Sequence, residues 1–119
     1  MKRDIDLVRK ILLFLEQDET EQETNTDLSD VEEQILLYHA HILIQAEYLE
    51  GNISTYESGE FAGDITSCEL TWQGHEFLDS IRDKNVWGKI SPVLSTSKNV
   101  SFFIVKEMAA EAFKRMIFG

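Results

Sequence analysis

Three histidines and one cysteine are the side chains of this sequence with the widest chemical range, because both types can bind metals and take part in catalysis. His39 and His41 lie two residues apart. On a helix this spacing places them on different faces, whereas a helical metal-binding pair needs a separation of four residues. His75 is distant in sequence and Cys68 is the only cysteine, so we expect no metal site. We interpret His39, next to Tyr38, as a buried, hydrogen-bonded histidine.

The remaining combinations of reactive side chains also give little support for catalysis. His75 and Glu76 are adjacent, so on a helix they point about 100° apart and form no acid–base pair on their own. Cys68 lies on a predicted strand beside Glu69 with no Lys or Arg nearby, so its thiolate gains little stabilisation. The sequence contains no glycine-rich phosphate-binding loop. We therefore expect a protein that is not an enzyme and binds no cofactor, with His75 and Cys68 in structural roles.

Aromatic residues could provide a stacking platform for single-stranded nucleic acid, but such platforms are usually interleaved with Lys or Arg. That interleaving is missing here, so core packing is the favoured interpretation. It applies to six residues: Trp72, Phe77, Trp87, Phe102, Phe103 and Phe113.

The distribution of charge is the most unusual feature of the sequence. The net charge is −11, from 22 acidic and 11 basic residues. No Lys or Arg occurs between Ile11 and Ile81, and this stretch contains 17 acidic residues. Lys and Arg supply most of the affinity for a phosphate backbone, so general DNA binding is disfavoured. Two interpretations stay open: an acidic surface that keeps the protein soluble, and a surface that binds a basic partner or mimics nucleic acid.

Length and composition indicate one globular domain, 1–119. The chain has 119 residues, and 43% of them are hydrophobic, which is enough for a core. No apolar run approaches the roughly 20 residues that span a bilayer, so we expect no membrane association. Asp4 and Asp6 interrupt the region where a signal peptide would have its apolar stretch. A single cysteine is typical of a reducing compartment, so we expect a cytoplasmic location.

The first half of the chain is predicted to form two helices joined by a loop. Apolar residues recur at helical spacing over about 4–17, and the polar, acidic stretch 18–28 is predicted to be a mobile loop. Ser29 and Glu32 match a capping box, which predicts that the second helix begins there and runs to about Glu47.

A β-hairpin is predicted over 48–70, with its turn at 57–64 and its returning strand at 65–70. Thr71 is the predicted N-cap of a helix from Trp72 to about Arg82. Gly74 in the first turn of that helix is costly, and we attribute it to close approach of a neighbouring backbone.

The C-terminal third is predicted to be helical as well. A short helix is expected over about 86–90, because Pro92 is unfavourable inside a helix. The last helix is expected to start at Val100 or Ser101 and to continue to about Ile117. Its apolar stripe, with Phe102, Phe113 and Met116, is wide enough to be compatible with a homodimer.

This order of elements predicts an α+β, winged-helix-like domain that is mostly helical, with one β-hairpin wing at 48–70 and C-terminal helices. In this interpretation the wing carries Glu57, Glu60 and Asp64, where a DNA-binding wing would need a cation.

Three stretches closely resemble one protein family. They are MKRDIDLVRKIL at 1–12, the Tyr38-His39 pair followed by ILIQA at 42–46, and LTWQGHEFLDSIRD at 70–83 with Val86-Trp87 after it. On these motifs the chain is similar to the DUF2513 family of small bacterial and prophage-encoded proteins. The resemblance implies a winged-helix-like fold and a frequent phage or prophage context, with no established activity. The family's central helix typically ends in Ala-Gly; here Glu47 follows Ala46, so the usual glycine cap is replaced.

Two functions follow as hypotheses. The first is a non-enzymatic interaction module that modulates a host protein through its acidic surface, with Glu57, Glu60 and Asp64 of the wing as candidate contacts. The alternative is a DNA-binding transcriptional regulator that uses a non-standard basic face. Its candidate nucleic-acid contacts are Lys2, Arg3, Arg9 and Lys10, together with the C-terminal lysines.

Overall fold

The computed structural model describes residues 2–16, 28–96 and 100–119. These residues form five α-helices with short antiparallel strand pairs, so the α+β, mostly helical prediction is confirmed. The chain divides into two compact units, 1–75 and 76–119, and the single domain stays a prediction. The predicted acidic loop at 18–28 lies outside the described residues except for Leu28, which is buried. The helices are α1 Ile5–Glu16, α2 Glu33–Gln45, α3 Trp72–Ile81, α4 Lys84–Thr96 and α5 Phe102–Phe118; the strands are β1 Leu49–Glu50, β2 Ser54–Thr55, β3 Phe61–Ala62 and β4 Glu69–Leu70.

Helix α1 forms where the sequence predicts it. The Asp4 carboxylate accepts a hydrogen bond from the Leu7 N–H at 3.2 Å, which satisfies a backbone donor at the start of the helix. Val8, Ile11 and Leu12 are completely buried, because their spacing places them on one face of the helix.

Helix α2 begins three residues later than the capping box predicts. Its N-cap is Glu32, whose carboxylate accepts the Gln34 N–H at 3.3 Å. Ser29 lies in a turn before the helix. A hydrogen bond from the Val31 N–H to the Leu28 carbonyl closes this turn. This turn brings the Leu28 side chain into the core, and burial of an apolar residue outweighs a local cap preference.

The C-terminal cap of α2 has the left-handed geometry that usually requires glycine, although the residue at that position is Glu47. Its φ of 67° is left-handed, and its N–H donates to Ile44 while the Tyr48 N–H donates to Leu43. This pair of hydrogen bonds is a Schellman motif with a non-glycine residue at its strained position.

The segment 48–70 is an antiparallel hairpin with an interrupted ladder. Strand β1 pairs with β4, and β2 pairs with β3. Three residues, 51–53, separate the two ladders on the outgoing arm, and six, 63–68, separate them on the returning arm. The prediction of a continuous strand over 65–70 is therefore wrong, because Ile65–Ser67 form a 3-10 turn. Asp64 accepts hydrogen bonds from the Thr66 N–H and hydroxyl, and this local cap outweighs the β-branched preference.

The side chain of Gln34 joins α2 to the hairpin. Its amide donates to the Phe61 carbonyl at 3.0 Å and accepts the Phe61 N–H at 2.8 Å. The amide thus completes the backbone pairing of β3 as a neighbouring strand would. Tyr38 and His41 pack around the Phe61 ring, with ring centroids 5.9 and 5.3 Å from it.

The start of α3 lies against the end of α2, and it confirms the prediction for Gly74. Thr71 is the N-cap, and its hydroxyl accepts the Gly74 N–H at 3.0 Å. The Thr71 N–H donates to the Tyr48 carbonyl at 3.1 Å. A methyl group at Gly74 would collide with that same carbonyl oxygen, so glycine is needed for the close approach.

Helix α4 is longer than the sequence predicts, because it continues through Pro92. Proline lacks the N–H that would bond to the carbonyl four residues earlier. The helix persists because Val86, Trp87, Ile90 and Leu94 are buried on one face on both sides of the proline. The Asp83 carboxylate caps its start by accepting the Asn85 N–H at 2.7 Å.

Helix α5 has nearly the predicted bounds, with Ser101 as N-cap accepting the Ile104 N–H at 3.2 Å. It packs along α4 and buries Val105, Ala109 and Ala112. Phe102 is half-buried against Phe77, with ring centroids 5.5 Å apart.

The six aromatic residues predicted for the core divide into two groups. Phe77 and Trp87 are buried, as predicted, and Phe102 is half-buried. Trp72, Phe103 and Phe113 are exposed, with 77%, 66% and 50% of their surface accessible, so the core prediction is wrong for them. Their positions in amphipathic helices did not reveal which side of each helix would be covered.

Candidate interaction surface

The tip of the hairpin presents two of the three acidic residues that the sequence singles out. A tight turn closes it, in which the Gly59 N–H donates to the Tyr56 carbonyl at 2.9 Å and the Tyr56 N–H donates to Glu60 at 2.8 Å. Gly59 has a φ of 91°, a conformation that favours glycine. Glu57 and Glu60 are exposed in this turn.

Asp64 lies further along the returning arm and is held in a fixed conformation. It accepts the Thr66 N–H at 2.9 Å and the Thr66 hydroxyl at 2.7 Å. These two hydrogen bonds lower the pKa of the Asp64 carboxyl, so it stays charged near neutral pH. The structure thus places Glu57 and Glu60 at the tip of the hairpin and Asp64 at its 3-10 turn.

The whole stretch 28–75 has charge of one sign only. It contains no Lys or Arg, and each of its acidic residues is exposed. This stretch has no Lys or Arg of its own to neutralise them, so it contributes only negative charge to the surface. The residues are Asp30, Glu32, Glu33, Glu47, Glu50, Glu57, Glu60, Asp64 and Glu69.

One acidic pair is placed where like charges are unfavourable. Glu50 and Glu69 are directly opposite each other in the β1–β4 ladder, and both side chains are exposed. Like charges in that relationship destabilise a sheet, whereas a Glu–Lys pair would stabilise it. The sequence alone did not reveal this pair, because the register depends on the 3-10 turn.

Two exposed aromatic residues accompany the acidic side chains. Tyr56 adjoins the hairpin tip and Trp72 is the first residue of α3, and more than half of each side chain is accessible. Tyr and Trp are enriched among the residues that contribute most to binding in protein interfaces. Sequence reasoning assigned Trp72 to the core and therefore missed it.

The candidate nucleic-acid contacts at the N-terminus do not all present available cations. Lys10 forms an ion pair with Asp6 at 3.3 Å on the same helix. Arg9 is half-buried, and desolvation lowers its pKa. Lys2 and Arg3 are exposed in the segment before α1.

The two arginines in or next to the later helices are also paired with acids on their own helix or its end, whereas Lys84, Lys89, Lys106 and Lys114 are exposed. Arg82 makes a two-nitrogen contact with Asp79, with distances of 2.9 and 3.1 Å, and Arg115 lies 3.3 Å from Glu111. Helices α2 and α3, from which a helix-turn-helix protein would draw its recognition helix, contain no Lys or Arg.

His39 is a buried, hydrogen-bonded histidine, as predicted. Only 1% of it is accessible, and its Nδ1 lies 2.7 Å from the Ile35 carbonyl while its Nε2 accepts the Asp4 N–H at 2.9 Å. These partners require the neutral tautomer with the proton on Nδ1. Desolvation lowers the pKa of the ring, which favours the same neutral form.

The other reactive side chains are placed as follows. The His75 ring lies 3.5 Å from the Glu16 carboxylate at the end of α1. Cys68 is a buried free thiol, and desolvation raises its pKa, which disfavours the reactive thiolate. Within 2–16, 28–96 and 100–119, no three His, Cys, Asp or Glu side chains are grouped to hold a metal ion.

A groove of about 450 Å³ lies between α4 and α5. Its floor is apolar, with Ile90, Met108 and Ala112, and its rim carries both signs of charge. The mixed rim gives no preference for an anionic or a cationic ligand.

None of the helices in the described part of the chain has the length and apolar character needed to cross a membrane.

Comparison with known proteins gives a family. The family model described as "Hypothetical protein (DUF2513)" matches residues 2–101. An uncharacterized protein of Haemophilus influenzae is 33% identical over 120 residues, covering 98% of this chain and 99% of that protein. No solved structure matches the chain. The predicted resemblance is therefore confirmed, and the chain belongs to the DUF2513 family.

Proposed function

We propose that this protein is a non-enzymatic interaction module that binds a basic surface of a host protein. The proposal includes a phage or prophage origin and a cytoplasmic location. The winged-helix-like fold is part of this proposal, with the hairpin over 48–70 as the wing. The observation that carries it is the stretch 28–75, in which every charged residue is acidic and every acidic side chain is exposed.

The wing is the favoured contact region within that stretch. Glu57 and Glu60 lie at its tip, Asp64 is held in its charged form, and the exposed Tyr56 adjoins them. An aromatic side chain beside fixed charges provides both apolar contact area and electrostatic complementarity. The Gln34 amide ties the wing to α2, so the surface is preorganised and loses less entropy on binding.

The alternative, DNA binding by Lys2, Arg3, Arg9 and Lys10, has weaker support. Lys10 is paired with Asp6, and Arg9 is half-buried. A protein with a net charge of −11 must also overcome repulsion from the phosphate backbone. Exposed Lys2 and Arg3 are the observation in favour of this alternative.

The test compares capture of bacterial lysate proteins on the immobilised protein and on two variants. The wing variant carries Glu57→Lys, Glu60→Lys and Asp64→Lys. The control variant carries Asp30→Lys, Glu47→Lys and Glu76→Lys, so both variants change the net charge equally. We expect that a protein captured by the wild type and by the control is not captured by the wing variant. Titration of this purified partner with the purified protein then measures the affinity.

The same titration with a labelled random DNA duplex, at about 50 mM salt where non-specific binding is strongest, tests the alternative. Equal recovery on all three immobilised proteins would contradict a contact through the wing. Saturable duplex binding that is lost on Lys2→Glu and Arg3→Glu would favour the DNA-binding regulator. Self-association through α5 is compatible with a contact through the wing, because it uses different residues.

A further inference from the structure

A stripe of five exposed residues runs along α5 beside the face that packs on α4. Its members follow one another at intervals of three, four, three and four residues. This is the spacing that keeps a seam on one side of a helix and is typical of paired helices. We call these five residues the α5 seam: Phe103, Lys106, Ala110, Phe113 and Ile117.

The seam is apolar although it is exposed. Phe103, Phe113 and Ile117 are 66%, 50% and 55% accessible. At 100° per residue, the seam centre lies roughly a third of a turn from the buried face of Val105 and Ala109. One small core therefore does not account for both faces, and the second face is available for a partner.

The seam is nearly symmetric about its central residue, Ala110. Phe103 and Ile117 each lie seven residues from it, and Lys106 and Phe113 lie four and three residues from it. A second copy of α5 running in the opposite direction would therefore place its Ile117 opposite Phe103, with the two Ala110 residues meeting at the centre. Such a self-complementary patch is what a two-fold dimer requires. Alanine at the crossing point lets two helices approach closely.

Charges beside the seam fit the same arrangement. Glu107 and Lys114 lie on one flank of the seam, three residues before and four residues after Ala110. In the antiparallel pair, Glu107 lies opposite Lys114 of the second copy, and symmetry makes this contact twice. A parallel pair would instead bring Lys106 against Lys106 of the second copy, which is repulsive.

We propose that the α5 seam is a self-association surface, occupied by α5 of a second copy in antiparallel orientation about a two-fold axis at Ala110. Lys106 then lies beside Phe113 of the second copy, where an ammonium group can contact an aromatic face. A basic, apolar helix could also lie on an anionic bilayer, but the net charge of −11 opposes that attraction. This surface is separate from Glu57, Glu60 and Asp64, so the proposal does not depend on the proposed function.

The test is sedimentation equilibrium of the whole chain from about 1 μM to about 1 mM, the range in which modest dimer affinities lie. We expect a monomer–dimer equilibrium, and Phe113→Ser should raise the dissociation constant about tenfold or more. Phe118→Ser is the matched control, since Phe118 is exposed but lies off the seam, and it should change the constant by less than about threefold. Circular dichroism of each variant verifies that the helices are retained.

A charge exchange tests the orientation independently of apolar packing. Glu107→Lys alone and Lys114→Glu alone each place like charges opposite each other twice, so each should weaken the dimer about tenfold. The double variant restores the pairing and should return the constant to within about threefold of the wild type. Failure of this restoration would overturn the antiparallel arrangement.

Two further results would overturn the proposal. A protein that stays monomeric over the whole concentration range has no self-association surface of useful affinity. Binding of the monomer to vesicles of phosphatidylglycerol and phosphatidylethanolamine, with loss on Phe113→Ser and no dimer in solution, would assign the seam to a bilayer surface instead.

Discussion

The hydroxyl of Thr71 donates a hydrogen bond to the backbone carbonyl of Glu47 at 2.6 Å, which joins the N-cap of α3 to the left-handed residue that follows α2. The same hydroxyl accepts the Gly74 N–H, and the Thr71 N–H donates to Tyr48. Thr71 therefore links three backbone positions at this junction. The carbonyl of Glu47 is available to it because the backbone turns sharply through a left-handed conformation.

Replacement of Glu47 by glycine should stabilise the protein. The left-handed conformation costs a non-glycine residue about 1–2 kcal/mol, and substitution by glycine removes that cost. Part of this stabilisation is offset, because glycine is more flexible in the unfolded chain. We expect a net gain of about 0.5–1 kcal/mol in the free energy of unfolding, measured by urea denaturation. Glu47→Ala removes the charge but keeps the strain, so an equal gain in that variant would contradict the argument.

Replacement of Gly74 by alanine should have the opposite effect. The added methyl group would collide with the Tyr48 carbonyl oxygen, which is fixed by its hydrogen bond from Thr71. We expect a loss of about 2–4 kcal/mol in the free energy of unfolding. Gly88→Ala is the control, because a methyl there meets no atom within 4 Å, and it should stabilise α4 by up to about 1 kcal/mol. Similar changes in the free energy of unfolding for both substitutions would show that helix propensity alone, and not the close contact at Gly74, determines the effect.

Gly74, Ser29 and Pro92 illustrate what the sequence could and could not predict. Gly74 in an otherwise regular helix pattern correctly indicated a close backbone approach, because its cost needed a local cause. The capping box at Ser29 was misleading, since the cap preference of about 1 kcal/mol competes with burial of Leu28. Pro92 was misleading for the same reason: tertiary burial of Ile90 and Leu94 holds the helix together across it.

The candidate surface was predictable in sign but not in arrangement. The absence of Lys and Arg from 11–81 already indicated a negative surface. The pairing of Glu50 with Glu69 and the side-chain link from Gln34 to Phe61 depend on strand register and on long-range contact. Neither has a local pattern in the sequence, because each joins residues at least 19 positions apart.

Replacement of Glu69 by lysine should stabilise the β1–β4 ladder. It converts a cross-strand pair of like charges with Glu50 into an attractive one. We expect a gain of about 0.5–1 kcal/mol in the free energy of unfolding at low salt, decreasing as salt is added. Glu60→Lys alters the net charge equally but faces no acid across a ladder in the described strands, so it serves as the control. An equal gain in the free energy of unfolding in both variants would show that the change in net charge, rather than the Glu50–Glu69 pair, causes the stabilisation.

Replacement of Gln34 by glutamate should loosen the wing. A carboxylate can still accept the Phe61 N–H, but it cannot donate to the Phe61 carbonyl, and the two oxygens repel each other. We expect a loss of about 1–3 kcal/mol and faster hydrogen exchange at the Phe61 amide. Gln45→Glu introduces the same change at an exposed position of the same helix and should cost only a few tenths of a kcal/mol. Unchanged exchange at Phe61 would show that the amide pairing contributes nothing to the wing.

The buried ring of His39 should make stability depend on pH. Its Nε2 accepts the Asp4 N–H, so protonation of that nitrogen breaks the hydrogen bond and places a charge in the core. Because the folded pKa is lowered below the unfolded value of about 6.5, the unfolded chain binds the proton first as the pH falls.

The contribution of neutral His39 is therefore fully present above pH of about 6.5 and is lost progressively as the pH falls toward the folded pKa. The slope from this residue cannot exceed about 1.4 kcal/mol per pH unit. Urea denaturation at several pH values between about 7.5 and 5 measures it. His39→Gln removes the titrating group, so its stability should be lower at pH 7 and should change less with pH than that of the wild type over this range. A wild-type slope that persists in His39→Gln would assign the pH dependence to other groups.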